Sequence, residues 1–201
     1  MRRAARIGWL LAAAAGLRAE VIDRVVAAVG VEMIARSDVE REARLEAFFG
    51  GADPSKTLER LIQQRLIRQE MDQISYPEAE ETDVKRWLGE RRPGGAVAVP
   101  AGLGEQDLVE YARRFVRIER FIDLRFAAGL QIPVEDIEKR YQETFLAEWK
   151  KQNAGEAPGL EAVRDRIRED LREQRVSRAL DAWMAELRSR VAVRVMETEA
   201  P

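Results

Sequence analysis

The stretch Val21-Ile-Asp-Arg-Val-Val-Ala-Ala-Val-Gly-Val-Glu-Met-Ile-Ala-Arg-Ser-Asp-Val-Glu40 has the alternation of a β-hairpin, in a chain whose later apolar positions recur at helical spacing. Val21, Val25, Ala27 and Val29 alternate with Ile22, Arg24, Val26 and Ala28. Both faces of the first strand are therefore apolar, which predicts a strand covered on each side. Gly30-Val31 supplies a two-residue turn. A β-branched residue resists positive φ, so the expected turn has φ > 0 at its first central residue alone. Glu32 to Ala35 returns as the second strand. Ser37-Asp-Val-Glu40 then has the form of a capping box, in which the Ser hydroxyl and the Glu carboxylate each satisfy a free backbone N–H and start a helix.

Outward from the hairpin, helical signals dominate. The first helix is expected from about Asp38 to Phe49, ending at Gly50-Gly51. Asp53-Pro54 opens the next, with Asp as cap and Pro at the first helical position. Leu58, Leu61, Ile62, Leu66, Met71 and Ile74 fall on one side of it, and Pro77 breaks it. A short helix over about Glu78 to Arg91 precedes a Gly- and Pro-rich loop from Arg92 to Gly104. From Glu105 to about Ala128, Leu108, Ala112, Phe115, Ile118, Ile122 and Phe126 make a stripe wide enough to meet several partners. Pro133 begins a helix carrying Val134, Ile137, Tyr141, Phe145 and Trp149.

Beyond the linker Asn153 to Gly159, apolar spacing from Leu160 to Leu187 marks one helix of about 30 residues, roughly 45 Å long. Val191, Val193 and Val195 alternate with Ala192 and Arg194, the pattern of a terminal strand. An isolated hairpin is marginal in water, whereas a third strand and a covering helix make it viable. The expected fold class is therefore mainly α, with a small β-sheet formed by the N-terminal hairpin and the C-terminal strand.

Residues 1–19 place Arg2, Arg3 and Arg6 before an apolar run from Ile7 to Ala15, followed by Gly16-Leu17-Arg18-Ala19. That is the layout of a secretory signal peptide. The run, about 9 residues, falls short of the roughly 20 that span a bilayer. Ala19 and Ala15 both offer a cleavage position. Arg2-Arg3 alone is a weak twin-arginine signal, and a chain without an evident cofactor has little need to be exported folded. Loss of this segment removes four arginines and shifts the formal charge from −2 to −6, which disfavours nucleic acid as a partner. The chain has no Cys and no His. Disulfides, thiol nucleophiles and Cys zinc sites are excluded, as are the commonest general base and metal ligand. No enzyme motif, ATP-binding loop or metal-ligand spacing is present, and no cofactor is expected.

At this point the residues carry a resemblance. Val21-Ile-Asp-Arg-Val-Val-Ala-Ala-Val, Glu32-Met-Ile and Ser37-Asp-Val resemble the start of the mature SurA-type periplasmic chaperones. Leu58-Glu-Arg-Leu-Ile-Gln-Gln-Arg-Leu-Ile-Arg-Gln-Glu70 resembles their second helix. Leu130-Gln-Ile-Pro-Val-Glu-Asp-Ile137 with Tyr141 resembles the segment leading into their isomerase region. Val163 to Val195, including Leu180-Asp-Ala-Trp-Met-Ala-Glu-Leu-Arg188, resembles the helix and strand that return to the N-terminal domain. The implied organisation is a signal peptide (1–19), a chaperone region (20–152), a short linker (153–159) where a parvulin domain would stand, and a helix and strand packing back (160–201). Two departures stand out. Gly30-Val31 replaces an Asn-Asp or Asn-Gly turn, and the linker leaves no room for a domain-sized insertion. The parvulin active site is built around histidines, and this chain has none. The resemblance thus implies a non-enzymatic, ATP-independent holdase for unfolded outer-membrane or exported polypeptides. It implies a periplasmic address, peripheral to the membrane at most.

Candidate peptide-binding residues are Phe48 and Phe49 beside Gly50-Gly51, Trp87 and Leu88 before the loop, and Val97 and Val99 within it. Large apolar groups near helix ends suit a groove rim, but residues of this type more often belong to a core. Arg113, Arg114, Arg117 and Arg120 read either as a row steering acidic clients or as a solvated helix face. Glu78, Glu80, Glu81 and Asp83 read as compensation of a helix dipole. A dedicated periplasmic adaptor that binds one partner through the same fold stands beside the holdase reading. A long amphipathic helix leaves room for a homodimer formed by exchange of terminal elements.

Overall fold

A computed structural model describes residues 23–51, 53–94, 98–152 and 155–196. The expected signal peptide lies outside them. β1 (Val25–Val29) and β2 (Glu32–Ala35) form the hairpin, and β3 (Val193–Val195) pairs antiparallel with the other edge of β1. The strand order is β2-β1-β3, so two distant parts of the chain share one small sheet. Gly30 takes φ 60°, while Val31 stays outside the positive-φ region, as its branched side chain requires. The Gly30 N–H donates to the Ala192 carbonyl at 2.8 Å, which ties the hairpin turn to the chain entering β3.

One face of the sheet is open, contrary to the expectation of cover on both sides. The register shifts between Val25 and Ala27, and this bulge lets the successive residues Val26 and Ala27 both be buried. Past the bulge ordinary alternation resumes. Ala27, Val29 and Ile34 are sealed by helices, while Ala28, Met33 and Arg194 share the outer face, with Met33 67% exposed.

Ser37 does not cap the first helix. α1 (Arg36–Phe48) starts earlier, and the Asp38 carboxylate accepts from the Ala35 N–H at 2.9 Å. Glu40 pairs with Arg36 at 2.9 Å. Asp23 accepts from the Ser37 N–H at 3.2 Å and from the Ser37 hydroxyl. An aspartate preceding β1 thus caps the helix that follows β2. Those hydrogen bonds from Ser37 hold its carboxyl below the ordinary range.

Asp53 caps a single 3₁₀ turn (Pro54–Lys56) by accepting from the Ser55 N–H at 3.0 Å, and α2 (Thr57–Gln73) follows. The helix stops before Ile74, which is 58% exposed and not on the buried side. Ser75 adopts φ 52° and turns the chain away. α3 (Glu81–Arg91) and α4 (Glu105–Ile122) come next. α4 continues into a π-helical stretch, Asp123–Ala127. α5 (Val134–Arg140), a second π-helical stretch (Tyr141–Phe145) and α6 (Leu146–Gln152) run on without a break. α7 (Leu160–Arg190) has 31 residues, about 46 Å at the helical rise. No helix among the described residues is long and apolar enough to cross a membrane.

Two apolar clusters organise the body. The first joins Ala27, Val29 and Ile34 of the sheet to Leu61, Ile62, Leu66 and Met71 of α2, and to Trp183, Met184 and Leu187 of α7. The second joins Leu45 and Phe48 of α1, Val84 and Trp87 of α3, and Leu108, Tyr111, Ala112 and Val116 of α4. α4 serves both, since its Ile118 and Phe121 belong to the first cluster. This is the work its wide stripe implied.

The rod from α5 to α6 is different. It packs chiefly against α7, and Ile137 and Ile167 are the side chains on that arm that are buried. Tyr141 donates from its hydroxyl to the Pro158 carbonyl at 2.9 Å. Arg175 bonds Asp136 and the Gln131 carbonyl, and Arg172 donates to the Ala127 carbonyl at 3.4 Å. Polar pins hold the arm where core burial is thin.

Candidate functional site

Five of the six candidates from sequence come together, in the interior. Phe48 and Trp87 are each 6% exposed, and Phe49, Leu88 and Val99 pack half-buried against them. Phe49 stacks on Tyr111 with centroids 5.1 Å apart and meets Trp87 edge-on at 5.1 Å. Gly50 and Gly51, at φ 119° and 78°, let the chain leave α1 directly beside this aromatic nest. The rings thus pack inside a helix junction, and an open recess of about 520 Å³ lies beside it, lined by Phe48, Ala47 and Gly50 with Pro93, Ala98 and Pro100 of the loop. Val97 lies outside the described residues.

The arginine row on α4 is neither free nor merely solvated. Arg113 pairs with Glu81 at 2.6 Å, Arg114 clasps both oxygens of Glu42 at 2.6 and 2.8 Å, and Arg120 pairs with Asp83. Arg117, its side chain 11% exposed, reaches Asp72 at 3.0 Å, Glu78 at 3.3 Å and the Tyr76 carbonyl at 2.8 Å. These side chains bind α4 to α1 and α3 and to the turn after α2. Glu78, Glu81 and Asp83 accordingly act as partners across the helix interface, beyond any effect on the dipole of α3. Among the described residues, no group of three or more acidic side chains is arranged to hold a metal ion.

Two buried carboxylates escaped the sequence reading. Glu42 is 3% exposed and Glu46 6%. Glu46 accepts from Thr57 Oγ1 at 2.6 Å and from Arg60 at 2.5 Å to each oxygen, joining α1 to the start of α2. Burial pushes its carboxyl up, but the hydrogen bonds from Arg60 and Thr57 outweigh burial and hold it below the ordinary range. The signal was present in the spacing. Glu42, Leu45, Glu46 and Phe49 recur at intervals of three and four, so both acids sit on the apolar stripe of α1.

The half-covered apolar surface lies on the arm. Tyr141, Phe145 and Trp149 form a ladder of rings, 5.5 and 5.9 Å between successive centroids, and each is only half-buried. The π-helical stretch that contains the first two widens the turn by one residue, which keeps ring above ring at four-residue spacing. Val134, on the same rod, is 49% exposed, and Leu124, before it in the chain, 63%.

No protein-family model matches this chain, and no curated protein matches it.

Proposed function

We propose that this protein is an ATP-independent holdase of the SurA-like type, which binds unfolded exported polypeptides, outer-membrane proteins among them, in the periplasm. The observation that carries the reading is the aromatic ladder Tyr141–Phe145–Trp149 on a two-helix arm with little core of its own. Extended polypeptides present apolar side chains at short intervals, and a shallow aromatic stripe takes them weakly and without a nucleotide-driven step. The motifs from Val21 to Val195 that resemble SurA-type chaperones support the same reading, as does a helical body clamped by a sheet that joins distant parts of the chain. The excess of acidic residues keeps a complex with a sticky client soluble.

Light scattering of a urea-diluted outer-membrane β-barrel protein, with and without the purified chain, tests this. Suppression without ATP is expected at equimolar to few-fold excess, and Phe145→Ala with Trp149→Ala should weaken it severalfold. Unchanged scattering across that range would overturn the holdase and favour an adaptor with one dedicated partner.

A further inference from the structure

α7 serves two neighbourhoods. Its last turns are locked into the body, where Trp183, Met184 and Leu187 sit in the first cluster and Arg188 pairs with Glu59 of α2. Its other buried side chain, Ile167, stands about four turns earlier, and no residue of α7 between Ile167 and Trp183 is buried. That earlier half packs chiefly against the rod α5–α6 and the π-helical end of α4.

The rod is held to α7 by little. Ile137 and Ile167, 1% and 2% exposed, are its buried pair. Tyr141 reaches the Pro158 carbonyl at 2.9 Å, Arg175 pairs with Asp136 with both side chains more than a third exposed, and Arg172 reaches the Ala127 carbonyl at 3.4 Å. An exposed ion pair contributes little, and the last bond is long. The chain is jointed on both sides of the rod, at Gly129 with φ 75° before Pro133, and at Pro158-Gly159 before α7. α7 has its own support where the rod lies on it. Glu161 pairs with Arg164 at 2.7 Å, Asp165 with Arg168, and Glu169 with Arg172 at 3.4 Å, each acid three residues ahead of its arginine. Separating the rod from α7 therefore costs one isoleucine pair and a few exposed polar bonds. Opening the first cluster costs the joint core of the sheet and three helices. Regions with few buried apolar contacts open at lower free energy than the core around which the rest folds.

We propose that the rod lifts off α7 as a unit of its own while the body stays folded, and that this opening uncovers the full client-binding face of the arm. Ile137 and Ile167 then join Tyr141, Phe145 and Trp149, whose rings are only half-exposed while the arm is closed. The opening rests on packing alone, and its link to clients rests on the holdase reading above.

Hydrogen exchange of the intact chain, followed by mass spectrometry, tests the opening. Rod segments should exchange roughly a hundredfold faster than α2 and the last turns of α7, yet more slowly than an unstructured chain. Leu66→Ala should speed exchange in the body and leave the rod unchanged, because the rod opens without the first cluster. Ile167→Ala should speed the rod about thirtyfold, the low end for truncating a buried isoleucine. One common rate throughout, a rod that accelerates with Leu66→Ala, or a rod indifferent to Ile167→Ala would each overturn the opening. For the link to clients, Asp136→Cys and Arg175→Cys are joined by a short bismaleimide in a chain that has no cysteine of its own. The joined chain should lose most of the aggregation suppression that the unjoined double variant keeps, and equal suppression by the two overturns the link. A parent chain that suppresses nothing sinks the holdase and the link together, while the exchange rates still decide the opening.

Discussion

Replacing Glu46 by Gln isolates one buried charge at the α1–α2 junction. The carboxylate is 6% exposed and accepts three short bonds, one from Thr57 and two from Arg60. Gln keeps the volume and one acceptor oxygen but loses the charge and turns the second oxygen into a donor facing donors. Bonds to a charged group contribute about 1.5–3 kcal/mol each, and Arg60, with 27% of its side chain exposed, recovers part of the loss by rehydration. We therefore expect a cost of about 2 kcal/mol at neutral pH, a fall in melting temperature of about 4–8 °C for a chain of this size.

The pH dependence distinguishes this charge from a packing effect. The Glu46 carboxyl titrates below its model-peptide value of 4.5 in the folded protein, so the unfolded chain takes up its proton first as acid is added. Its contribution is complete above 4.5 and is lost as pH falls through the folded value. Urea unfolding followed by far-UV circular dichroism should show parent and Glu46→Gln chains well separated at neutral pH and converging below 4.5. A gap that stays constant across that range, or no gap at neutral pH, would refute the assignment.

Four further outcomes follow from the packing and the backbone. Arg114→Ala strands Glu42, 3% exposed, without its clasp and should cost about 3–5 kcal/mol in the same unfolding assay. Leu66→Ala, at 1% exposure in the first cluster, should cost about 3 kcal/mol. Phe145→Ala on the arm should cost about 1 kcal/mol yet reduce aggregation suppression, so stability and holdase effect should separate between the two variants. Gly30→Ala should lower stability by about 1 kcal/mol from φ 60° alone, because an added Cβ would meet nothing nearer than Val191 Cγ1 at 3.6 Å.

The sheet and its closure by β3 were readable because Val, Ile and Ala at period two contrast with the 3.6-residue period everywhere else. The wide stripe of α4 and the length of α7 were readable for the same reason. Capping at Ser37 was not, because Asp23 lies fourteen residues earlier and only the closed hairpin brings it to the helix start. The bulge at Val25–Ala27 disguised a half-open sheet as a doubly covered one. For the candidate residues, the sequence left core and rim both open. Phe48 and Trp87 look like a rim beside glycines and charges, and only the junction of α1, α3 and α4 buries them. The arginines of α4 likewise look solvated until their partners on three other segments are in place.

The neighbours of β1 also set an order of assembly. β3 pairs with β1 from about 160 positions later in the chain, whereas β2 follows within a few residues, so hairpin closure is local and the third strand is among the last contacts to become available. Until then Ala27 and Val29 have one bare edge, and the cover that Trp183, Met184 and Leu187 provide is absent as well. A chain still emerging from a ribosome therefore lacks the clamp that closes its sheet until α7 and β3 have been made.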